Sequence, residues 1–111
     1  MTESRITSTS SGEVVIAPEG RLDATSAPVL REQLLTQVQK GNVRLVVDLS
    51  GVDLIDSAGL SALVSGLKAA RRAGGTLQIA RPSKQVRSIL KLTTLHRVLE
   101  HYESTDDRPS D

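Results

Sequence analysis

The sequence predicts an α/β sandwich with a partly parallel sheet, and three observations carry that expectation. Short runs rich in β-branched residues alternate along the chain with longer segments whose apolar residues recur every three or four positions. The run at 43–49 (VRLVVDL) is apolar on both faces, as suits a central parallel strand covered by helices. No stretch repeats at a fixed period, so the elements belong to one unit and not to a solenoid.

Residues 1–4 read as a flexible lead-in. Residues 5–10 alternate weakly around Ile6 and are rich in Ser and Thr, which suits an edge strand. Ser11-Gly12 then turns the chain into a stronger strand at 13–17, and Pro18-Glu19-Gly20 breaks regularity. Leu22 is expected to pack inward, leaving Arg21 and Asp23 facing solvent. Thr25 or Ser26 can cap a first helix whose opening turn accepts Pro28. Leu30, Leu34 and Val38 form its inner face, with Ala27 and Leu35 beside them, and Lys40-Gly41 closes it.

After the central strand, 50–55 is expected to be a crossing loop anchored by Val52 and Ile55. A second helix is predicted over 57–73, stopped by Gly74-Gly75. Its small residues Ala58, Gly59, Ala62, Ser65 and Gly66 permit close packing against the sheet or a partner. Residues 76–80 form the next strand, and Pro82-Ser83 opens a third helix with Val86, Ile89 and Leu90 inward. A last strand is expected at 98–102. Residues 103–111 (ESTDDRPSD) carry no apolar side chain and read as a disordered polar tail, which leaves 5–102 as the domain.

Composition narrows the function. Fourteen Lys and Arg against 13 Asp and Glu, with a single aromatic (Tyr102), give little support to nucleic-acid binding. No cysteine is present, so disulfides and thiolate metal sites are excluded, in keeping with a reducing cytoplasm. The apolar runs are far too short for a bilayer span, and the first eleven residues are polar, unlike a signal peptide. His96 and His101 have no metal-ligand spacing. Lys68, Arg71 and Arg72, like Lys84, Arg87 and Lys91, read as surface charge on helices.

The stretch 44–67 is where function is expected, centred on Asp56-Ser57-Ala58-Gly59-Leu60. A buried strand has crossed a loop there and a helix begins, so the Ser57 hydroxyl is exposed. A phosphate on it would meet free backbone N–H groups and the positive end of the helix dipole. Asp56 suits an N-cap accepting from the amides of Ala58 or Gly59, and its charge suits recognition by a kinase or control of the local charge. Gly59 allows close backbone approach, to a partner or a strand; a side chain there is expected to lie over the helix's first turn, next to Ser57. Asp23 suits a turn or capping residue before the first helix.

Asp56-Ser57-Ala58-Gly59-Leu60 after a Val-Val-Asp-Leu strand resembles the signature of the anti-sigma factor antagonists, small bacterial STAS-domain proteins. Gly20-Arg21-Leu22-Asp23 followed by Ser26-Ala27-Pro28-Val29-Leu30 is similar to that family's second motif. The match covers roughly residues 14–98. The resemblance implies a STAS-like sandwich, with a mixed sheet of four to five strands and about three helices. It implies a non-enzymatic cytoplasmic partner switch in which Ser57 receives phosphate. The partner-binding surface would comprise Arg21, Asp23, Ala24, Asp56, Ser57, Ala58, Gly59 and Leu60, with the two loops meeting on one edge. The implied partner is an anti-sigma factor that is itself a serine kinase of the histidine-kinase-like ATPase type. It would bring its own ATP and Mg²⁺, so this chain needs no cofactor. Binding would free a sigma factor, a PP2C-like phosphatase would reset the switch, and the chain would be a monomer or weak dimer. Ala58 stands where many relatives carry Ser or Thr, which leaves Ser57 unambiguous. Many relatives also carry a further amphipathic helix after the last strand, which this tail cannot form.

Rival readings fare worse. Ile55-Asp56-Ser57-Ala58-Gly59 approximates the nucleophile elbow G-x-S-x-G, but its first glycine is Ile55 and the chain is too short for that fold. Asp48 at a strand end evokes a phosphate-accepting receiver domain, yet the acidic pair that would hold Mg²⁺ is reduced to Glu13. No Gly-rich run ends in Gly-Lys-Ser/Thr, so a P-loop is excluded. The serious alternative is a STAS-fold scaffold or regulatory subunit, in a signalling, lipid-transport or transporter assembly, that is not controlled by phosphorylation.

Overall fold

The doubly apolar run is the middle of a five-stranded sheet in the computed structural model, which describes residues 4–92 and 100–102. Strand β4 (Arg44–Asp48) lies between β2 (Val14–Pro18) and β6 (Thr76–Ala80), parallel to both. Edge strand β1 (Ser4–Ser8) pairs antiparallel with β2, and β7 (Glu100–Tyr102) pairs parallel with β6 on the far edge. Strand β1 opens at Ser4, inside the expected lead-in, and the edge strand is shorter than 5–10. Its last expected residues form the turn, where Thr9 accepts the Glu13 amide on its hydroxyl. His96 and the tail at 103–111 lie outside the described residues, as does the first part of the expected strand 98–102.

Three helices complete the domain: α1 (Ala27–Gln39), α2 (Ser57–Arg72) and α3 (Lys84–Leu92). α1 and α2 end where glycine takes left-handed backbone, Gly41 at φ 91° and Gly74 at φ 92°. On α1, Ala27, Leu30, Leu34 and Gln37 face inward, while Val38 packs half-buried beside them. Gln37 is tolerated there because its carboxamide oxygen accepts from Asn42 Nδ2 at 2.9 Å.

One face of the sheet supplies Val14, Ile16, Leu45, Val47, Leu77 and Ile79, and these meet Leu30 and Leu34 of α1, Leu63 and Leu67 of α2, and Val86 and Leu90 of α3. The largest fully buried side chains are all Leu or Ile, as the shortage of aromatics requires. Each contributes about 1.5–3 kcal/mol by burial, so this one layer dominates the stability of the domain. Val15, Val46 and Ala80 form a smaller cluster on the opposite face.

The segment 50–55 departs from expectation. Its anchors are as read, with Val52 and Ile55 at 1% and 2% exposure, but Val52–Ile55 is a strand, β5. It pairs in parallel with β3 (Gly20–Leu22), itself part of a stretch read as irregular, to make a separate two-stranded ribbon. The pairing gives the backbone of this segment hydrogen-bond partners on β3 while Val52 and Ile55 reach into the core and Asp53 and Leu54 stay exposed.

Candidate functional site

The ribbon assembles the site. Because β3 and β5 are parallel, with Leu22 opposite Ile55, both chains leave it at the same edge. Asp23 follows one strand and Asp56 the other, and the Asp56 amide donates to the Leu22 carbonyl at 3.1 Å. The two sequence motifs are thereby brought together, as the resemblance implied.

Helix α2 starts immediately. Asp56 is its N-cap in extended backbone (φ −115°, ψ −169°), and one carboxylate oxygen, Oδ1, accepts from the amides of Ala58 (2.9 Å) and Gly59 (3.1 Å). Ser57 is the first helical residue and is exposed. The amides expected to be open to a phosphate on Ser57 are thus engaged at Ala58 and Gly59, so such a phosphate would face the Asp56 carboxylate as well as the helix dipole.

Gly59 corrects a second expectation. A Cβ there would point inward, 2.7 Å from Ile55 Cγ1, 2.7 Å from the Leu22 carbonyl oxygen and 2.9 Å from Leu22 Cβ, not over Ser57. Glycine lets the helix press its first turn onto the ribbon. Gly59 is buried, Ala58 and Leu60 are half-buried, and Arg21, Ala24, Asp56 and Ser57 are exposed.

On the facing turn, Asp23 acts as a turn-former. Its Oδ1 accepts from the Thr25 hydroxyl (2.6 Å), the Thr25 amide (3.0 Å) and the Ser26 amide (3.3 Å). These bonds, the Thr25 hydroxyl's foremost, hold the Asp23 carboxyl below its usual range. Ser26 occupies the N-cap position of α1 but makes no side-chain cap bond; its hydroxyl donates to the Arg21 carbonyl and accepts from the Asp23 amide. The two loops are therefore stiffened by their own side chains. An open groove of about 670 Å³ between α1 and α2 adjoins them, bounded at the site end by Ala24 and Ala58 and further down by Pro28, Leu35 and Ser61.

Two features of this end of the sheet escaped sequence reasoning. Asp48, at the end of β4, is buried and paired with Arg81 beyond β6, whose Nε and guanidinium NH₂ donate to it; Ser50 adds its amide. Burial pulls the Asp48 carboxyl upward, but the bonds from Arg81 and Ser50 outweigh it and hold it below the usual range. Arg81 adopts left-handed backbone, φ 52°, to make this contact. A pairing across 33 residues has no local signature. The second feature is Leu54, exposed on the ribbon and hidden from the sequence by the loop assignment. Among the described residues no group of three or more His, Asp or Glu side chains is placed to hold a metal, and no helix is long and apolar enough to cross a membrane.

The STAS domain family model matches residues 5–108, and the chain belongs to that family. An anti-sigma-B factor antagonist of Bacillus subtilis is 32% identical over 81 residues, covering 73% of each chain. That of Staphylococcus aureus is 31% identical over 87 residues, covering 78% of this chain and 81% of its own. The crystal structure of an anti-sigma factor antagonist from Mycobacterium paratuberculosis superposes with a TM-score of 0.85, covering 96% of this chain and 90% of that one; at 24% identity it speaks to the fold.

Proposed function

We propose that this protein is an anti-sigma factor antagonist, a regulator and not an enzyme, that works in the cytoplasm as a phosphorylation-controlled partner switch. Dephosphorylated, the edge formed by Arg21, Asp23, Ala24 and the start of α2 docks an anti-sigma factor and so frees a sigma factor. The partner is a serine kinase of the histidine-kinase-like ATPase type, supplying ATP and Mg²⁺ itself, and it phosphorylates Ser57. A PP2C-like phosphatase reverses the modification.

The observation that carries this reading is the setting of Ser57: an exposed hydroxyl on the first residue of α2, at the edge where the two motifs meet, next to the capping carboxylate of Asp56. Phosphate there adds about −1.5 to −2 charges. With Asp56 holding the amides of Ala58 and Gly59, the new charge stays at the surface, where a docked partner must desolvate it. Ser57→Ala keeps the surface and removes the acceptor, so it should bind the partner persistently. Ser57→Asp should bind at least about tenfold more weakly, a loss of about 1.4 kcal/mol. Titration calorimetry of the three proteins, with intact mass after incubation with kinase and ATP, tests both halves. Equal affinities, or no added phosphate on wild type, would end the proposal.

A further inference from the structure

Strand β1 is one edge of the large sheet, and its outer side pairs with no strand among the described residues. The Thr9 amide donates to the Glu13 carbonyl at 2.9 Å, so along the antiparallel register the bonded pairs fall on Thr7 with Val15 and Arg5 with Ala17. Pro18, which has no N–H, accordingly stands opposite Ser4 in a non-bonded pair. Ser4, Ile6 and Ser8 therefore turn their backbone N–H and C=O groups outward. Such edges are commonly blocked by Lys, Pro or a bulge; β1 has neither residue, and its register with β2 runs without a shift.

Side chains favour a further strand at this edge. Ile6 lies opposite Ile16, on the face of the sheet that carries the helices, yet it is 42% exposed. It borders an open groove of about 290 Å³ whose other wall is α1, with Val29, Gln33 and Thr36. Gln33 Oε1 is shut off from solvent without a hydrogen-bond partner among the described residues. Glu32 and Lys40 stand exposed on the same strip of α1, about two turns apart.

The pattern is self-complementary about Ile6. A two-fold axis there sets Ile6 against its own copy, Ser4 against Ser8 and Arg5 against Thr7, so apolar meets apolar and no like charges oppose. It also runs α1 antiparallel to its copy across the seam, which brings Glu32 of one protomer toward Lys40 of the other. We propose that β1 pairs with β1 of a second copy, joining two five-stranded sheets into one, with the two Ile6 side chains closing the grooves beside α1. Five residues per strand make a short seam, so the dimer is a weak one. None of these residues belongs to the surface proposed for the anti-sigma partner, and the inference stands apart from the switch at Ser57.

Sedimentation equilibrium of the full chain, from low micromolar to millimolar concentration, should show monomer and dimer in exchange. Ile6→Pro removes an outward N–H and the apolar side chain, and Ile6→Lys sets like charges across the axis. Each should weaken the dimer at least about tenfold, while melting temperatures near wild type at low concentration show that both fold. Glu32→Lys and Lys40→Glu should each weaken dimerisation. An equimolar mixture of the two, or the double variant, should recover it, which no folding defect would mimic. Amide exchange followed by NMR should slow with concentration at Ile6 but not at Thr7, whose amide is already bonded to Val15. A wild-type chain that stays monomeric at millimolar concentration would overturn the inference and leave the edge to a strand of another protein. So would a dimer that withstands both Ile6 variants and the charge swaps, since it would join through another surface.

Discussion

Placing a methyl group on Gly59 sets two effects of opposite sign against each other. Alanine is a better helix former than glycine by about 0.8–1.0 kcal/mol in a helix interior, and by less in a first turn. Against this, the new Cβ would lie 2.7 Å from the Leu22 carbonyl oxygen and 2.7 Å from Ile55 Cγ1. Overpacking of this kind costs about 1–3 kcal/mol, and the upper part of that range applies where the obstacle is backbone. The balance is a net loss of about 1–2 kcal/mol, or about 4–8 °C in melting temperature for a domain of this size. The helix can escape only by lifting its first turn, which stretches the bond from the Asp56 amide to Leu22, so phosphorylation of Ser57 should slow as well. Gly66→Ala is the internal comparison, on the same helix. Its Cβ would meet Leu34 Cδ1 at 2.7 Å and Leu77 Cδ1 at 2.9 Å, the ends of flexible side chains, with Leu34 Cβ at 3.2 Å. It should fall within about 1 kcal/mol of wild type, since rotamer shifts relieve most of the clash and propensity offsets the rest. Urea unfolding measures both. A Gly59→Ala variant as stable as wild type, or no worse than Gly66→Ala, would refute the close approach of α2 to the ribbon.

Two further outcomes follow from the carboxylates. Asp56→Ala should lose about 0.5–2 kcal/mol of stability, whereas Asp56→Asn should be nearly neutral, because both cap bonds end on one oxygen that an amide carbonyl can replace; slower phosphorylation of both variants would show that the charge is also read. Arg81→Gln should cost about 1–2 kcal/mol at pH 7, a figure kept low because the guanidinium is 43% exposed. Asp48 has a depressed folded-state pKa, so its contribution is present above the unfolded carboxylate range and lost as pH falls through the folded value. The gap between wild type and Arg81→Gln should therefore narrow below about pH 4, and a gap unchanged by acid would rule out the ion pair as its source.

What the chain discloses locally could be read from it, and what it discloses only on folding could not. Thr76–Ala80 and the end of α2 at Gly74 follow from β-branched runs and glycine chemistry within a few residues. Asp56 as a cap followed from its place before a helical period. Val52–Ile55 was hidden because its outward pair, Asp53 and Leu54, destroys the alternation that marks a strand, and because its partner strand is three residues long and over thirty positions away. The inward direction of Gly59 was hidden for the same reason: the ribbon it presses upon did not exist in the reading. Arg81 gave no sign of its left-handed backbone, since a long basic side chain has no local preference for that region.

The register of Leu22 against Ile55 has a consequence for what can serve as a substrate. The Asp56–Leu60 motif is contiguous, yet the surface it belongs to is closed by a strand on the far side of α1 and β4. Cut out as a peptide of residues 52–67, the segment would keep the Ser57 hydroxyl, the proposed acceptor, and its neighbouring capping aspartate but would lose the carbonyl that anchors Asp56 and the wall that Gly59 leans on. Such a short helix is also marginal in water by itself. An enzyme that reads this surface would then ignore the peptide, and equally a nascent or heat-damaged copy of the chain. Recognition would double as a check on folding, and only finished molecules would be counted by the circuit they serve.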